Sequence, residues 1–205
     1  MGDLIKWIFF DIGSTLFDES DSEEYRINEV LADTDINKED FIKEYISLAS
    51  QSQDAFHLLV KKYNLKYSGW PAFKDRLIPG IEEILDYLKD KYHLGIIANQ
   101  PLGTEKRLES FGIRKYFEVV ISSAEVGYVK PQPEIFQLAL KQAKTKPEES
   151  LMIGDRLEND IRPAQELGFK TIWFKNSYGK YGNPELLPKM PDHIIDSIFE
   201  LKQLL

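Results

Sequence analysis

A continuous apolar run that ends in a carboxylate limits the fold of this chain more than any other feature. Trp7-Ile8-Phe9-Phe10 is followed directly by Asp11. An uninterrupted apolar run of this length is typical of a strand that is buried on both faces, and such strands lie at the centre of parallel sheets. We therefore expect Asp11 at the carboxyl end of a central strand.

Four later segments repeat this pattern, and amphipathic or capped segments separate them. The four apolar runs cover residues 94–97, 119–121, 151–153 and 171–174. Buried strands that alternate with helices indicate βαβ units and a parallel sheet. The predicted fold class is therefore α/β, with a Rossmann-like parallel sheet that carries helices on both faces.

Three helices of this core are predicted from spacing and end signals. The first starts near Pro79 and has an apolar stripe at helical spacing. That stripe consists of Ile81, Ile84, Leu85, Leu88 and Tyr92. The second covers residues 135–140, after two prolines, and the third covers residues 160–167 and ends at Gly168.

Residues 17–77 lose the strand pattern and form a predicted helical insertion. One long amphipathic helix, with shorter helices around it, is expected there. Its apolar positions are Ile42, Tyr45, Ile46, Ala49, Phe56, Leu59, Val60 and Tyr63. The predicted organisation is a discontinuous core domain of residues 1–16 and 78–205, with a helical cap of residues 17–77.

Composition excludes several classes of function. The formal net charge of −8 leaves no positive field for nucleic-acid phosphates. Cysteine is absent, which excludes thiolate nucleophiles and thiolate zinc sites. No apolar stretch reaches the ~20 residues of a membrane span, and no signal-peptide pattern is visible. We expect a cytoplasmic protein without nucleic-acid or membrane partners, and the oligomeric state stays open.

Polar side chains follow the ends of four predicted strands. These segments are residues 11–16, 98–100, 130–131 and 154–160. Ligands of open parallel sheets bind beyond the carboxyl ends of the strands. The four segments are therefore expected to meet in one site.

These same segments resemble the motifs of a known superfamily. FFDIGSTL, IIANQP, VKPQPEIF and IGDRLENDIRPAQELGF resemble, in order and spacing, the four motifs of the haloacid dehalogenase (HAD) superfamily. The resemblance spans essentially the whole chain. The insertion after the first motif resembles the C1-type cap of the subfamily that contains haloacid dehalogenases, phosphoglycolate-type phosphatases and phosphonatases.

The resemblance implies Mg²⁺-dependent hydrolysis of a small phosphorylated metabolite through an aspartyl-phosphate. Asp11 would be the nucleophile, and Lys130 would be the catalytic cation that offsets charge repulsion. Mg²⁺, which prefers oxygen ligands, would be held by Asp11, the backbone carbonyl of Gly13 and Asp155. Asp160 would hold the metal site or Lys130 in place.

The resemblance also implies which residues contact the substrate. Ser14, Ala98 and Asn99 match the positions that bind the transferring phosphoryl group. The cap and the loop of residues 17–20 are expected to determine specificity.

Two positions depart from the pattern of the superfamily's phosphatases. Gly13 stands where they carry the aspartate that protonates the leaving oxygen and then activates water, and Ala98 stands where they carry Ser or Thr. Loss of an acid–base group typically costs ~10²–10⁴-fold in rate. We expect slow turnover, dependence on acidic leaving groups, or a replacement from the cap or the substrate. Gly13→Asp is then expected to rescue alkyl phosphates.

Three alternatives remain open on the sequence alone. Dehalogenases and phosphonatases also lack the second aspartate, although the pair Asp155 and Asp160 favours a metal site over a dehalogenase. A phosphonatase needs a cap lysine for a Schiff base. A scaffold that binds metal, a phosphorylated ligand or a partner without turnover is the third alternative. Retention of Asp11, Lys130 and Asp155 together favours an enzyme.

Overall fold

The fold was examined in a computed structural model, which describes residues 4–51 and 53–205. In this part of the chain the strands are β1 (Trp7–Phe10), β2 (Phe17–Asp18), β3 (Arg76–Leu77), β4 (His93–Ala98), β5 (Val119–Ser122), β6 (Ser150–Gly154), β7 (Lys170–Phe174) and β8 (His193–Ile195). The α-helices are α1 (Ser20–Leu31), α2 (Lys38–Ala49), α3 (Ala55–Lys62), α4 (Ile81–Lys89), α5 (Thr104–Ser110), α6 (Ser123–Val126), α7 (Pro133–Ala143), α8 (Arg162–Leu167) and α9 (Leu201–Leu204).

The main sheet has the order β5-β4-β1-β6-β7-β8, and every pairing in it is parallel. The predicted α/β class and the five predicted strands are confirmed. At its centre, Phe10 lies between Ile96 of β4 and Ile153 of β6. From β1 the chain builds β4 and β5 on one side and then returns to build β6, β7 and β8 on the other, so the strand order reverses between β1 and β6. Parallel sheets open a ligand crevice at such a switch point.

Both faces of β1 are buried, which explains its uninterrupted apolar sequence. Ile8 and Phe10 pack into one cluster with the apolar residues of α4 and α9. Trp7 and Phe9 pack into another with those of α7. A side-chain carbon on Gly95 of β4 would lie 2.7 Å from the ring of Phe9. Glycine at that position therefore leaves the space that the ring needs.

The insertion between β2 and β3 is helical, and its apolar side chains form a cluster of their own around Phe41, Phe56 and Leu59. β2 and β3 pair antiparallel, with Phe17 opposite Leu77, and join the two ends of the insertion. The prediction of one long helix in this insertion is wrong. The chain instead forms α2 and α3, which the polar residues 50–54 separate.

The local reason for this break is visible at the end of α2. The hydroxyl of Ser50 and the amide of Gln51 both donate to the carbonyl of Ser47, at 2.8 and 3.0 Å. Side chains that bond to the last carbonyls in this way compete with continuation of the helix.

Two predicted helix boundaries also differ, and three short strands, β2, β3 and β8, were not predicted. α4 begins after Gly80, whose φ of 83° leaves the preceding proline outside the helix. α8 begins at Arg162, because residues 157–161 form a wider π-helical turn at the end of β6. The short edge strand β8 was not predicted, since three residues after a proline carry little periodic signal.

None of the helices within residues 4–51 and 53–205 combines the length and apolar character that a bilayer crossing requires.

Candidate active site

Asp11 lies at the carboxyl end of β1, where a tight turn begins. Its N–H donates to the carbonyl of Ile153 at 2.9 Å, which continues the sheet pairing by one residue. The N–H groups of Leu16 and Phe17 both donate to the carbonyl of Ile12, at 2.9 and 3.1 Å, and so the chain turns back on itself. The side chain of Asp11 is left at the crevice, with Asp11 only 8% exposed.

Lys130 connects two of the carboxylates predicted for the site. Its Nζ donates to Asp11 Oδ1 and to Asp160 Oδ1, at 2.6 Å each. The other oxygen of Asp160 accepts from the N–H of Arg156 at 2.9 Å. Lys130 is only 4% exposed. An ammonium group held between two buried carboxylates keeps its charge, and its pKa is raised because the attraction of Asp11 and Asp160 outweighs burial.

Three carboxylates converge beside this lysine. Oxygen atoms of Asp11, Asp155 and Asp160 lie within 4.8 Å of one another, and all three residues are buried. Burial raises the pKa of Asp11 to about 6, with Lys130 opposing the rise and Asp160 adding to it. Burial, followed by the charges of Asp160 and Asp11, raises the pKa of Asp155 well above its ordinary value. Three acids against one ammonium leave an excess of buried negative charge, which suits a hard divalent cation with oxygen ligands.

The main chain of Asp155 is fixed by a tryptophan. Trp173 Nε1 donates to the carbonyl of Asp155 at 2.8 Å, and Trp173 itself is buried on β7. The carboxylate of Asp155 therefore projects from a backbone that the neighbouring strand holds in place.

Gly13 lies opposite an acid that the sequence did not single out as catalytic. A side-chain carbon built on Gly13 would lie 2.7 Å from Glu19 Oε2. Burial, followed by the charges of Asp75 and Asp11, raises the pKa of the Glu19 carboxyl to about 8. The available sequence signal was only that Glu19 belongs to the loop expected to influence specificity.

A cavity of about 200 Å³ opens above these residues. Its core wall comprises the acidic cluster with Lys130, Ser14, Gln100, Arg156 and the segment of residues 177–179. Its other wall comes from the insertion and includes Glu23, Arg26, Tyr45 and Trp70, with Glu19 at its edge. Tyr45 was predicted only as an apolar position of the insertion helix, and no periodic signal marked Glu23, Arg26 or Trp70.

The insertion wall is braced by an internal ion pair. Arg26 donates to Glu23 Oε1 at 2.6 Å, and the hydroxyl of Tyr45 donates to the same oxygen at 2.6 Å. The guanidinium of Arg26 lies 3.8 Å from the ring centroid of Phe56 and 4.8 Å from that of Trp70. Stacking and pairing of this kind hold an arginine in one orientation.

The predicted substrate-binding residues have three different placements. Ser14 lines the cavity in the left-handed conformation, with a φ of 51°. Asn99 also lines it, but its amide is bonded to the main chain of Lys130. Ala98 is fully buried in the core cluster under the sheet, since the alternation of β4 turns its methyl group away from the crevice. The methyl group of Ala98 does not line the cavity, so only the backbone of this residue is left for contact with a substrate.

Comparison with known proteins agrees with this arrangement. A family model for haloacid dehalogenase-like hydrolases matches residues 7–174. The chain is 34% identical over 228 residues to the glyceraldehyde 3-phosphate phosphatase of Pyrococcus furiosus, covering 98% of this chain and 93% of the relative. The chain belongs to the haloacid dehalogenase-like hydrolase family. The predicted membership is confirmed, and the protein is a hydrolase of that family.

Two further matches show the range of this hydrolase family. The phosphoglycolate phosphatase of Nitrosococcus oceani is 34% identical over 141 residues, which cover 68% of this chain and 61% of that protein. The magnesium-bound HAD hydrolase YfnB of Bacillus subtilis has a TM-score of 0.69 at 23% identity, over 98% of both chains. At that identity the structural match shows the shared fold.

Proposed function

We propose that this HAD-family hydrolase is a phosphatase that cleaves a small phosphorylated metabolite through an aspartyl-phosphate on Asp11. The observation that supports it best is the contact of Asp11 and Asp160 with one buried Lys130, beside Asp155 and a small cavity. A carboxylate nucleophile near a phosphate needs compensating positive charge. In this cluster Lys130 and a divalent cation held by the carboxylates would provide that charge.

The residues that would hold Mg²⁺ are Asp11, Asp155 and the backbone carbonyl of Gly13. The excess of buried carboxylate charge and the all-oxygen donor set fit this ion. When bound, Mg²⁺ would neutralise negative charge on the nucleophile and on the phosphoryl oxygens. Asp160 orients Lys130 rather than the substrate, because its two oxygens are bonded to Lys130 and to the N–H of Arg156.

The reaction assigned to these side chains has two steps. The free oxygen of Asp11 attacks phosphorus, the ester P–O bond breaks, and the phosphoryl group is transferred to the carboxylate. Water then attacks phosphorus, the bond to Asp11 breaks, and inorganic phosphate leaves. Lys130 fixes the carboxylate of Asp11 for attack and offsets the charge that gathers at phosphorus.

Residues 17–77 act in this proposal as a cap over a core of residues 1–16 and 78–205. The ring of Tyr45 in the insertion lies 4.5 Å from that of Tyr178 in the core, measured between centroids. This contact, with the residues of the insertion that line the cavity, supports a cap that limits substrate size. The cavity is smaller than the ~300–1,000 Å³ of sites for drug-sized ligands. Glyceraldehyde 3-phosphate and phosphoglycolate, which the relatives' names mention, are therefore suitable first substrates.

The test is phosphate release from a panel of phosphorylated metabolites in the presence of Mg²⁺, with wild type, Asp11→Asn and the exposed control Asp90→Asn. Wild type and the control should be active, whereas Asp11→Asn should lose at least ~10³-fold, because an amide is a far poorer nucleophile. Intact-mass measurement during turnover should detect a phosphorylated protein that Asp11→Asn does not form. Full activity of Asp11→Asn, or no release across the panel, would contradict the proposal.

A further inference from the structure

We propose that Glu19 is the acid–base residue of this hydrolase and supplies the carboxyl group that Gly13 lacks. This role rests on the proposed function, hydrolysis through Asp11. It adds a catalytic residue from the start of the insertion, which lies outside the four sequence motifs.

The position of the Glu19 carboxyl carries the argument. An ideal side-chain carbon on Gly13 would lie 2.7 Å from Glu19 Oε2 and 3.1 Å from both Cδ and Oε1. The whole carboxyl group therefore lies where a side chain of residue 13 would begin. The turn after β1 brings Glu19 back over Gly13, because Leu16 and Phe17 both bond to the carbonyl of Ile12.

The same geometry explains the glycine. Gly13 is not among the glycines with positive φ, so its backbone conformation does not itself require glycine. A contact of 2.7 Å is shorter than real side-chain carbons show. A side chain at position 13 and the observed place of Glu19 therefore exclude each other.

Glu19 differs from Asp11, Asp160 and Glu23 because no hydrogen bond occupies its carboxyl, a property that it shares only with Asp155 among the described cavity acids. Asp11 and Asp160 bond to Lys130, and Glu23 bonds to Arg26. Among the residues that the structure describes, no hydrogen bond reaches the Glu19 carboxyl, and this side chain does not cap α1. The group lines the cavity and is free to exchange a proton with a bound molecule.

In the first step, an oxygen of Asp11 bonds to phosphorus while the ester P–O bond breaks. Glu19 passes its proton to the departing oxygen, which leaves as an alcohol. In the second step, water bonds to phosphorus, the Glu19 carboxylate takes the proton from that water, and the bond to Asp11 breaks. The sum is ester plus water to alcohol plus phosphate, and both carboxyl groups return to their starting forms.

The first experiment compares kcat/KM for alkyl and aryl phosphates in wild type, Glu19→Gln and Glu24→Gln. Proton donation matters most for a poor leaving group, so Glu19→Gln should lose ~10²–10³-fold on alkyl phosphates and less than ~10-fold on nitrophenyl phosphate. Glu24, an exposed residue of α1, the helix that follows Glu19, is the matched control and should behave as wild type. Equal losses on both substrate classes would overturn the role.

The second experiment moves the carboxyl group. Contrary to the rescue expected from the sequence, Gly13→Asp alone should lower activity on all substrates, because the new side chain competes with the Glu19 carboxyl for one space. The double variant with Gly13→Asp and Glu19→Ala should turn over alkyl phosphates at least ~10-fold faster than Glu19→Ala alone. This comparison also tests the role if Glu19→Gln folds poorly. Failure of this recovery in a double variant that melts cooperatively counts against the role. A wild type that is inactive on every phosphate would overturn the proposed hydrolysis and this role together.

Discussion

The side-chain amide of Asn99 forms two hydrogen bonds with the main chain of Lys130. The N–H of Lys130 donates to Asn99 Oδ1 at 2.7 Å, and Asn99 Nδ2 donates to the carbonyl of Lys130 at 3.0 Å. These bonds hold the loop that presents the ammonium group to Asp11. Asn99 was predicted to bind substrate, but both ends of its amide are used to position Lys130.

Asn99→Ala should therefore lower kcat by ~10–100-fold with little change in KM, because a lysine displaced by a fraction of an ångström no longer offsets charge at phosphorus. Steady-state kinetics with an aryl phosphate measure this effect. Gln137→Ala on the exposed face of α7 is the control. A rise in KM at constant kcat would instead show direct substrate binding.

Asp155→Asn should abolish Mg²⁺ binding that calorimetry detects in wild type, since the ion loses a buried carboxylate ligand. Mg²⁺ at 100 times its Kd should stabilise the wild type by ~2.7 kcal/mol, which corresponds to a rise in Tm of roughly 5–10 °C. The exposed substitution Asp33→Asn should leave both results unchanged. Undiminished affinity in Asp155→Asn would remove this residue from the set of ligands.

Lys130→Met should destabilise the metal-free protein by ~3 kcal/mol or more, because Asp11 and Asp160 stay buried without the cation that they share. Urea unfolding in the presence of EDTA measures the change. Lys141→Met, at an exposed position of α7, should change the free energy of unfolding by less than ~0.5 kcal/mol. Equal stability of the two variants would mean that the buried pairs contribute little.

Asp192 should make the stability depend on pH. Burial alone would raise its pKa, but hydrogen bonds from Lys170 and the N–H of Thr171 outweigh burial and lower the pKa. A lowered folded-state pKa gives stability that is present above the unfolded value of ~3.9 and is lost as the pH falls through the folded value. These bonds join β7 to the segment before β8, at 3.0 Å each.

Asp192→Asn should therefore lower the Tm by roughly 2–4 °C at pH 7, for a loss of ~1 kcal/mol, and by less at about pH 3, where the wild type has begun to lose the same contribution. Thermal melts at the two pH values measure the difference, with the exposed Asp35→Asn as control. If the Tm difference between wild type and Asp192→Asn instead increases as the pH falls, folding does not lower the pKa of Asp192 and the prediction is wrong.

Much of the core was predictable because buried parallel strands need uninterrupted apolar residues. Five strands were found from their composition, whereas the three-residue β8 was too short for such a signal. The break between α2 and α3 was missed, because apolar spacing continued across residues 50–54 while side-chain bonds at Ser50 and Gln51 ended the helix.

The sequence by itself determined where Asp11, Lys130, Asp155 and Asp160 would meet, because the carboxyl ends of parallel strands share one edge of the sheet. Only the tertiary structure decided which way neighbouring groups point. Lys130 bonds to the side chain of Asn99 across 31 residues and to Asp11 across 119. The place of Glu19 over Gly13 depends on the turn after β1, which combines local bonds to the carbonyl of Ile12 with the long-range pairing of Phe17 with Leu77 of β3. Local sequence carries no record of that pairing, which helps to determine which acid lies over Gly13.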